Sequence, residues 1–327
     1  MNCNQRRATQ ANRTSIQALL AGLLFVLWAA GCSTLGERGK QLVPTNHRLR
    51  SGPFLFSSDF ELKSDSPVVL CLKSLEHDMA KSLDLEVSED DPTIEIYILN
   101  DRDSFSHFLK FYYPELPSRR AFFLAQGESR VVYTFMGPKL EEDLRHEAAH
   151  ALLNLRFGSL PLWLDEGLAE YFEVTSPADT GAQAHLAKLP AELTSQWKPN
   201  LARLEGLTEI RQMTPGDYRE SWAWVHSLLN QPGPGKPTLL AYLRETPASR
   251  EQTKLSSRLA DNGIDTGGES LVAYVGSLRN RRISQSPGTK PKVVRFQDAP
   301  SPLPVQPLPP ERGIKGFARR IGSFFGL

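Results

Sequence analysis

One segment of the sequence combines residues that could bind a metal ion and activate water. His146, Glu147 and His150 form a His-Glu-x-x-His pattern. If the segment is helical, the two histidines lie one turn apart on the same face, because residues four apart are neighbours on a helix. Two imidazoles so placed can bind one zinc ion, and Glu147 lies beside them as a base for metal-bound water. The pattern therefore predicts a metal site, with an exposed polar helix face as the alternative.

A catalytic zinc ion needs a third protein ligand and one open position. Glu166 is the best candidate in the chain, since it follows the histidines after a short connection. We expect it on a second helix that begins near Pro161 and also carries Glu170. The ligands predicted for a single Zn²⁺ are therefore His146, His150 and Glu166.

The sequence around the histidines has the features of a helix. Pro138 favours a helix start, where its missing N–H costs nothing, and the acidic residues 141–143 complement the helix dipole in the first turn. Gly158 is the expected end. Apolar residues recur at helical spacing and predict one buried stripe: Leu140, Leu144, Ala148, Ala151, Leu152 and Leu155.

The motif and residues 163–172 (WLDEGLAEYF) together resemble a known group of enzymes. They are similar to the gluzincin zinc metallopeptidases, and most similar to the bacterial peptidase-MA-like proteins. The resemblance is strongest over residues 90–175, weaker to about 280, and does not cover the two ends. It implies a peptide or protein substrate. The connection between the histidines and the third ligand is shorter than in thermolysin, so the loop that shapes the subsites there is not implied here.

The resemblance also implies a role for each site residue. His146, His150 and Glu166 would be the zinc ligands, and Glu147 the catalytic base. Glu170 would be the carboxylate that orients a ligand histidine, a role with a physical basis because such partners fix the ring.

Gluzincins also place a Tyr or His of a later helix against the oxyanion of the reaction, where such donors contribute a few kcal/mol. By that resemblance Tyr218 and His226 are the candidates, with core packing as the alternative for both. His185 is predicted to be a surface histidine, since three ligands are already supplied.

The predicted fold is α+β, with a small mixed sheet that packs on the metal helix, followed by an all-helical subdomain, as in thermolysin-like proteins. We place the sheet and metal helices in residues 51–175 and the helical subdomain in residues 176–281. By the same resemblance, residues 130–135 would be the edge strand that pairs with substrate, an ordinary sheet strand being the alternative. Local patterns predict strands at 54–56 and 93–99, helices at 66–84 and 103–111, and a hairpin of 121–124 with 130–135.

The first residues are predicted to be removed from the mature protein. Residues 1–31 have a basic start and an apolar stretch that ends in Ala-Ala-Gly before Cys32, which resembles a bacterial lipobox. Cleavage there would leave Cys32 to carry lipid and anchor the protein to a membrane of the cell envelope, with the outer membrane favoured. An uncleaved anchor or ordinary secretion is the alternative. Residues 32–50 are predicted to be a polar tether, and Cys71 to be a buried thiol with no disulfide partner.

Composition limits the remaining possibilities. The 327 residues carry a formal net charge of +1, which gives no reason to expect nucleic acid as a partner. Residues 282–312 are rich in proline and read as an extended linker. Residues 313–327 form a basic amphipathic tail that could lie on an anionic membrane or dock on a partner. Two other functions are possible: a zinc-containing lipoprotein that binds peptides or a partner without turnover, and an anchoring protein that acts through its two ends.

Overall fold

The fold is described from a computed structural model, which covers residues 43–85, 91–174 and 197–284. The predicted signal peptide, Cys32, most of the tether, His185, nearly all of the linker and the C-terminal tail lie outside these ranges. Within the ranges, no helix is both long enough and apolar enough to cross a membrane.

The protein has the predicted α+β fold, built around a mixed five-stranded sheet. The strand order is β1-β2-β3-β5-β4. The inner pairs β2/β3 and β3/β5 are parallel, and the outer pairs β1/β2 and β4/β5 are antiparallel. The strands are β1 (His47–Ser51), β2 (Phe54–Ser58), β3 (Ile94–Leu99), β4 (Phe122–Gln126) and β5 (Ser129–Phe135).

Two strand predictions differ from the structure. The strand at 130–135 is β5, which lies between β3 and β4 and is therefore not an edge. The edge on this side of the sheet is β4, which pairs with β5 alone. Residues 47–50, predicted as tether, belong to β1, whose hairpin with β2 turns at Gly52 with a φ of +57°. A five-residue strand with mostly polar, exposed side chains carries too little apolar alternation to be recognised from sequence.

The first helices and the metal helices follow the predicted pattern closely. Their bounds are α1 (Pro67–Leu83), α2 (Arg102–Tyr112), α3 (Leu140–Phe157) and α4 (Leu162–Phe172). Helix α3 begins two residues after Pro138, has its three acidic residues in the first turn and ends at Gly158, whose φ is +67°. Its apolar stripe is buried against the sheet and α1, except that Leu155 is only partly buried. Cys71 is a buried free thiol, as predicted.

Every regular element described after residue 200 is helical. The elements are α5 (Leu201–Leu204), a 3₁₀ turn (Ile210–Gln212), α6 (Pro215–Asn230), α7 (Gly235–Leu243), α8 (Pro247–Gln252), α9 (Leu255–Asp261) and α10 (Glu269–Ser284). All of these elements except α8 and the 3₁₀ turn share one hydrophobic core with the sheet and α3, and α6 packs along α4. The predicted helical subdomain therefore continues the core of the metal-helix region.

The start of α6 is fixed by a network of hydrogen bonds. The Thr214 N–H and hydroxyl each donate to Asp217 Oδ2 at 2.8 Å, and Arg203 Nη2 donates to Asp217 Oδ1 at 2.6 Å. This is a capping box, which satisfies backbone groups that a helix start leaves open. Burial acts to raise the pKa of Asp217, but the Thr214 backbone and Arg203 outweigh it and hold that pKa below its ordinary value.

Candidate metal centre

Three side chains from two helices converge on one point, as the sequence predicts. His146 Nε2 and His150 Nε2 lie 3.2 Å apart on α3. Glu166 Oε2, from α4, lies 3.7 Å from the first nitrogen and 3.8 Å from the second. His150 and Glu166 are buried, with 8% and 7% of their surfaces exposed. The group could hold one metal ion.

Carboxylates hold the outer nitrogens of both histidine rings. His146 Nδ1 lies 3.2 Å from Glu173 Oε2 and is hydrogen-bonded to it, whereas His150 Nδ1 lies 3.0 Å from Asp165 Oδ2 in an ion pair that lacks hydrogen-bond geometry. A protonated Nδ1 donates to its carboxylate and leaves Nε2 with a lone pair that points at the shared centre. The His146–Glu173 contact is the arrangement that metal-ligating histidines require, and Asp165 places a second carboxylate beside the outer nitrogen of His150.

Glu173 makes the contact with a ligand histidine that was predicted for Glu170. Glu170 offers an oxygen within 4.8 Å of His146 and Glu173, so it belongs to the same cluster. The contact with His146 Nδ1 at hydrogen-bond distance is made by Glu173, which follows the last residue of α4. Orientation of a ligand histidine by Glu170 therefore stays a prediction.

The charges of the cluster favour a cation. Burial acts to lower the pKa of both histidines, but the surrounding carboxylates outweigh it, led by Glu173 for His146 and Asp165 for His150, and raise the pKa of each ring. Burial raises the pKa of Glu166. Protons on the two rings would balance the charge of these carboxylates when no cation is bound. A divalent ion would replace those protons, since metal ligands bind in their deprotonated forms.

Glu147 lies beside the histidines on the cavity side of α3. Its Oε2 accepts a hydrogen bond from the Phe123 backbone N–H at 2.8 Å. Phe123 belongs to the edge strand β4, so one carboxylate oxygen is fixed against the sheet. Glu147 therefore has the position that a base beside the metal site requires.

A cavity of about 730 Å³ opens over this centre. Both histidines, Glu147 and Glu166 line it, together with three consecutive residues of β4, 123–125. Tyr218, near the start of α6, also lines it. Burial, together with the negative charges of Glu166 and Glu170, raises the pKa of Tyr218 to about 12. Its phenol is therefore protonated at neutral pH and can donate a hydrogen bond.

His226 is not brought to the centre. It is 2% exposed, its Nδ1 lies 2.8 Å from the Tyr274 hydroxyl, and its ring packs against Tyr171 and Trp222. It is not among the residues that line the cavity. Of the two oxyanion candidates, Tyr218 alone reaches the site, and His226 packs in the core because it lies two helical turns further along α6.

Two buried arginines that sequence reasoning missed support the metal helices. Arg145 is 1% exposed and donates to the carbonyls of Phe172, Val174 and Cys71, at 3.0–3.1 Å. Arg250 is 3% exposed and donates to the carbonyls of residues 157, 159, 243 and 245. Apart from the Cys71 carbonyl, which lies within α1, these carbonyls are at or just beyond helix ends, where such cations satisfy groups that the helix leaves open. The position of Arg145 next to His146 gives a weak signal for its role, and nothing near Arg250 in the sequence marks it.

Asp165 and Glu173 were also missed. Asp165 precedes the expected third ligand, and Glu173 lies seven residues after it, two helical turns further on the same face. That spacing marks them as candidates, but Glu170 lies on the same face as Glu173, so it does not say which carboxylate meets His146. Comparisons with known proteins add nothing here: no family model and no curated protein matches this chain.

Proposed function

We propose that the protein is a zinc-dependent peptidase. The observation that carries the proposal is the convergence of His146 Nε2, His150 Nε2 and Glu166 Oε2 beside Glu147, at the base of an open cavity. Two imidazoles and one carboxylate are a donor set used by catalytic zinc in peptidases. The fourth position would face the cavity, where water and substrate can reach it.

The spacing of the donor atoms agrees with zinc. Zinc–nitrogen bonds of 2.0–2.1 Å at tetrahedral angles place two ligand atoms about 3.3 Å apart. The histidine nitrogens are 3.2 Å apart, and the carboxylate oxygen is 3.7 and 3.8 Å from them. The oxygen would need to move by ~0.5 Å to reach the tetrahedral spacing. A borderline-soft ion with no geometric preference of its own suits this nitrogen-rich set.

The chain's own residues can carry the proton transfers. When bound, zinc would polarise a carbonyl and lower the pKa of a water molecule. Glu147 keeps one oxygen on the Phe123 N–H, which leaves Oε1 to accept a proton from that water and pass it to the leaving amine. Tyr218, protonated at neutral pH, would donate a hydrogen bond to the negative charge that develops on the carbonyl oxygen.

The edge strand gives the substrate a place to bind. The Phe123 N–H points away from β5, toward Glu147, and backbone groups two residues further along a strand point the same way. The backbone of Ala125 therefore also faces the cavity that it lines. An extended peptide could add to β4 through such groups, as in strand addition. The edge role is thus proposed for β4 in place of β5.

Glu147→Gln separates catalysis from metal binding. We expect purified Glu147→Gln protein to contain one zinc per chain. Its rate of peptide hydrolysis should be at least about a hundredfold below that of the wild type, because the amide cannot accept the proton. Glu142→Gln, a change at a partly exposed glutamate five residues earlier on α3, is the matched control and should retain activity.

The assay is cleavage of a mixed peptide library by zinc-verified protein, followed by mass spectrometry, with and without a chelator. Undiminished cleavage by Glu147→Gln would remove the base from its role. A wild type that holds zinc but cleaves nothing would favour the other function, a metal-containing lipoprotein that binds peptides without turnover.

We also propose that the enzyme is tethered to the outer membrane through lipid on Cys32, as the lipobox-like residues before it suggest. A Cys32→Ala protein should fail to incorporate labelled fatty acid and should leave the membrane fraction, whereas Cys71→Ala should behave as the wild type. Membrane association of the Cys32→Ala protein that depends on residues 313–327 would assign anchoring to the tail.

A further inference from the structure

Arg119 is the one basic side chain, apart from the histidines, among the described residues that line the cavity. Its Nε atom is buried and has no hydrogen-bond partner. The next residue, Arg120, is different: it is half-exposed and holds both oxygens of Asp143. Buried donors are nearly always satisfied in folded proteins. The Arg119 guanidinium lines the cavity and no described carboxylate holds it, so its cavity-facing part can meet a ligand.

Three of the acidic groups that line the cavity are already engaged near the metal centre. Asp165 holds His150, Glu166 faces both histidines, and Glu147 accepts from a backbone N–H. Arg119 has no such partner in the described part of the chain, although its charge reaches Tyr218, which also lines the cavity. It is therefore the group in the cavity that remains available to an anion.

The position of Arg119 along the cleft indicates which part of a substrate it would meet. It precedes the N-terminal end of β4, close to the point where Phe123 contacts Glu147. The other end of β4 lies toward Asn154, since Ala125 pairs with Arg130 and Arg130 Nε donates to Asn154. Arg119 thus lies at the Glu147 end of the cleft.

That end receives the leaving amine, if the peptidase proposal on which this step rests is correct. Glu147 passes its proton to the amine, so the departing fragment must lie beside Glu147. The fragment that leaves as an amine carries the C-terminus of the substrate. A cation beyond Glu147 consequently faces the residues on the C-terminal side of the cleaved bond.

We propose that Arg119 binds a carboxylate of the substrate on the C-terminal side of the cleaved bond. An arginine fork matches a carboxylate in shape and charge and can hold both of its oxygens. The carboxylate has two possible sources. It is the C-terminal α-carboxylate when the bond lies near the end of the chain, or an Asp or Glu side chain within the next few residues.

The test uses zinc-loaded wild type and three variants: Arg119→Gln, Arg119→Lys and the control Arg120→Gln. Each protein is assayed on peptide pairs that differ only in a free or amidated C-terminus, and on pairs that exchange Glu for Gln at each position after the cleaved bond. Hydrogen bonds to charged groups correspond to preferences of about 10- to 100-fold. We expect the wild type to favour the carboxylate member in kcat/KM by that factor. Arg119→Gln should bring the ratio near one, Arg119→Lys should keep part of it, and Arg120→Gln should keep all of it.

The pairs distinguish the two sources, because a preference confined to the free C-terminus indicates the α-carboxylate and one that follows Glu indicates a side chain. The proposal is overturned if the wild type shows no preference for a carboxylate. It is also overturned if Arg119→Gln slows both members equally, as a purely structural or oxyanion role would.

A binding measurement separates this inference from the peptidase proposal. The uncleaved pairs are titrated into Glu147→Gln protein with and without the Arg119→Gln change. A preference for the carboxylate peptide that vanishes with Arg119→Gln supports the anion site, even if the wild type cleaves nothing. Equal affinities for both peptides, together with active wild type, refute the anion site and leave the peptidase proposal standing.

Discussion

Removing Glu173 should weaken metal binding more than removing Glu170, which is the reverse of what the sequence resemblance implies. Glu173 Oε2 lies 3.2 Å from His146 Nδ1, so it holds the ring that offers Nε2 to the metal. Loss of such a partner usually lowers metal affinity 10- to 100-fold. The Glu173 side chain is 22% exposed, so water can replace part of the lost hydrogen bond. We therefore expect the lower part of that range for Glu173→Ala, roughly 10- to 30-fold or about 1.4–2 kcal/mol.

For Glu170→Ala we expect a change below about fivefold, the size of a screened charge interaction. The assay is competition for zinc against a chelator of known affinity, at one neutral pH, with circular dichroism to verify that each variant is folded. If Glu170→Ala weakens zinc binding more than Glu173→Ala does, then Glu170 orients His146 and the contact seen here is not the functional one. If both variants bind zinc as tightly as the wild type, neither carboxylate supports the site.

Two further predictions concern the packing of α6 against α4 and the start of α6. A Cβ at Gly167 would lie 2.7 Å from the Ser221 carbonyl oxygen. Gly167→Ala should therefore lower the free energy of unfolding, measured by denaturant titration, by about 1–3 kcal/mol, as overpacking does. The control is Gly276→Ala, which should be neutral or stabilising because a Cβ there meets nothing within 4 Å. Asp217→Asn should cost about 1–2 kcal/mol at neutral pH, as loss of a helix cap does. Because the folded-state pKa of Asp217 lies below its ordinary value of 3.8, the stabilisation is present above that pH and is lost as the pH falls through the folded-state pKa. A difference between the two proteins that does not shrink in acid would contradict this assignment.

The parts of the site that follow from local spacing are confirmed by the structure. The histidine pair needs only a helix through residues 146 and 150, and the acidic first turn, the apolar stripe and Gly158 are sufficient to predict that helix. The hairpin of β4 and β5 was predicted for the same reason, since Gly127 at a φ of +59° suits its turn. Strand order is different. Which hairpin strand lies at the edge depends on β3, which is distant in sequence, so local patterns could not decide it.

The outer partners of the histidines could not be assigned from sequence for a related reason. Asp165, Glu166, Glu170 and Glu173 all lie on or next to one short helix, and sequence alone does not fix the rotation of that helix against α3. A rotation of one residue, about 100°, would exchange which carboxylate meets His146. The distinction between Tyr218 and His226 had the same origin, because both lie on α6 and the packing of α6 against α4 determines which of them faces the cavity.

Metal binding here should therefore depend on residues that never touch the metal. The two histidines lie on one helix, so the distance between them does not depend on how that helix packs. Glu166 arrives from α4, so its distance to them depends on how α3 and α4 are held. Arg145 ties α3 to the carbonyls at the end of α4, and Arg250 ties the end of α3 to the connection that leads into α4. Buried cations that satisfy carbonyls in this way are costly to remove, since the carbonyls stay buried without donors. By holding α3 and α4 together, these arginines keep Glu166 Oε2 within 4 Å of His146 Nε2 and His150 Nε2.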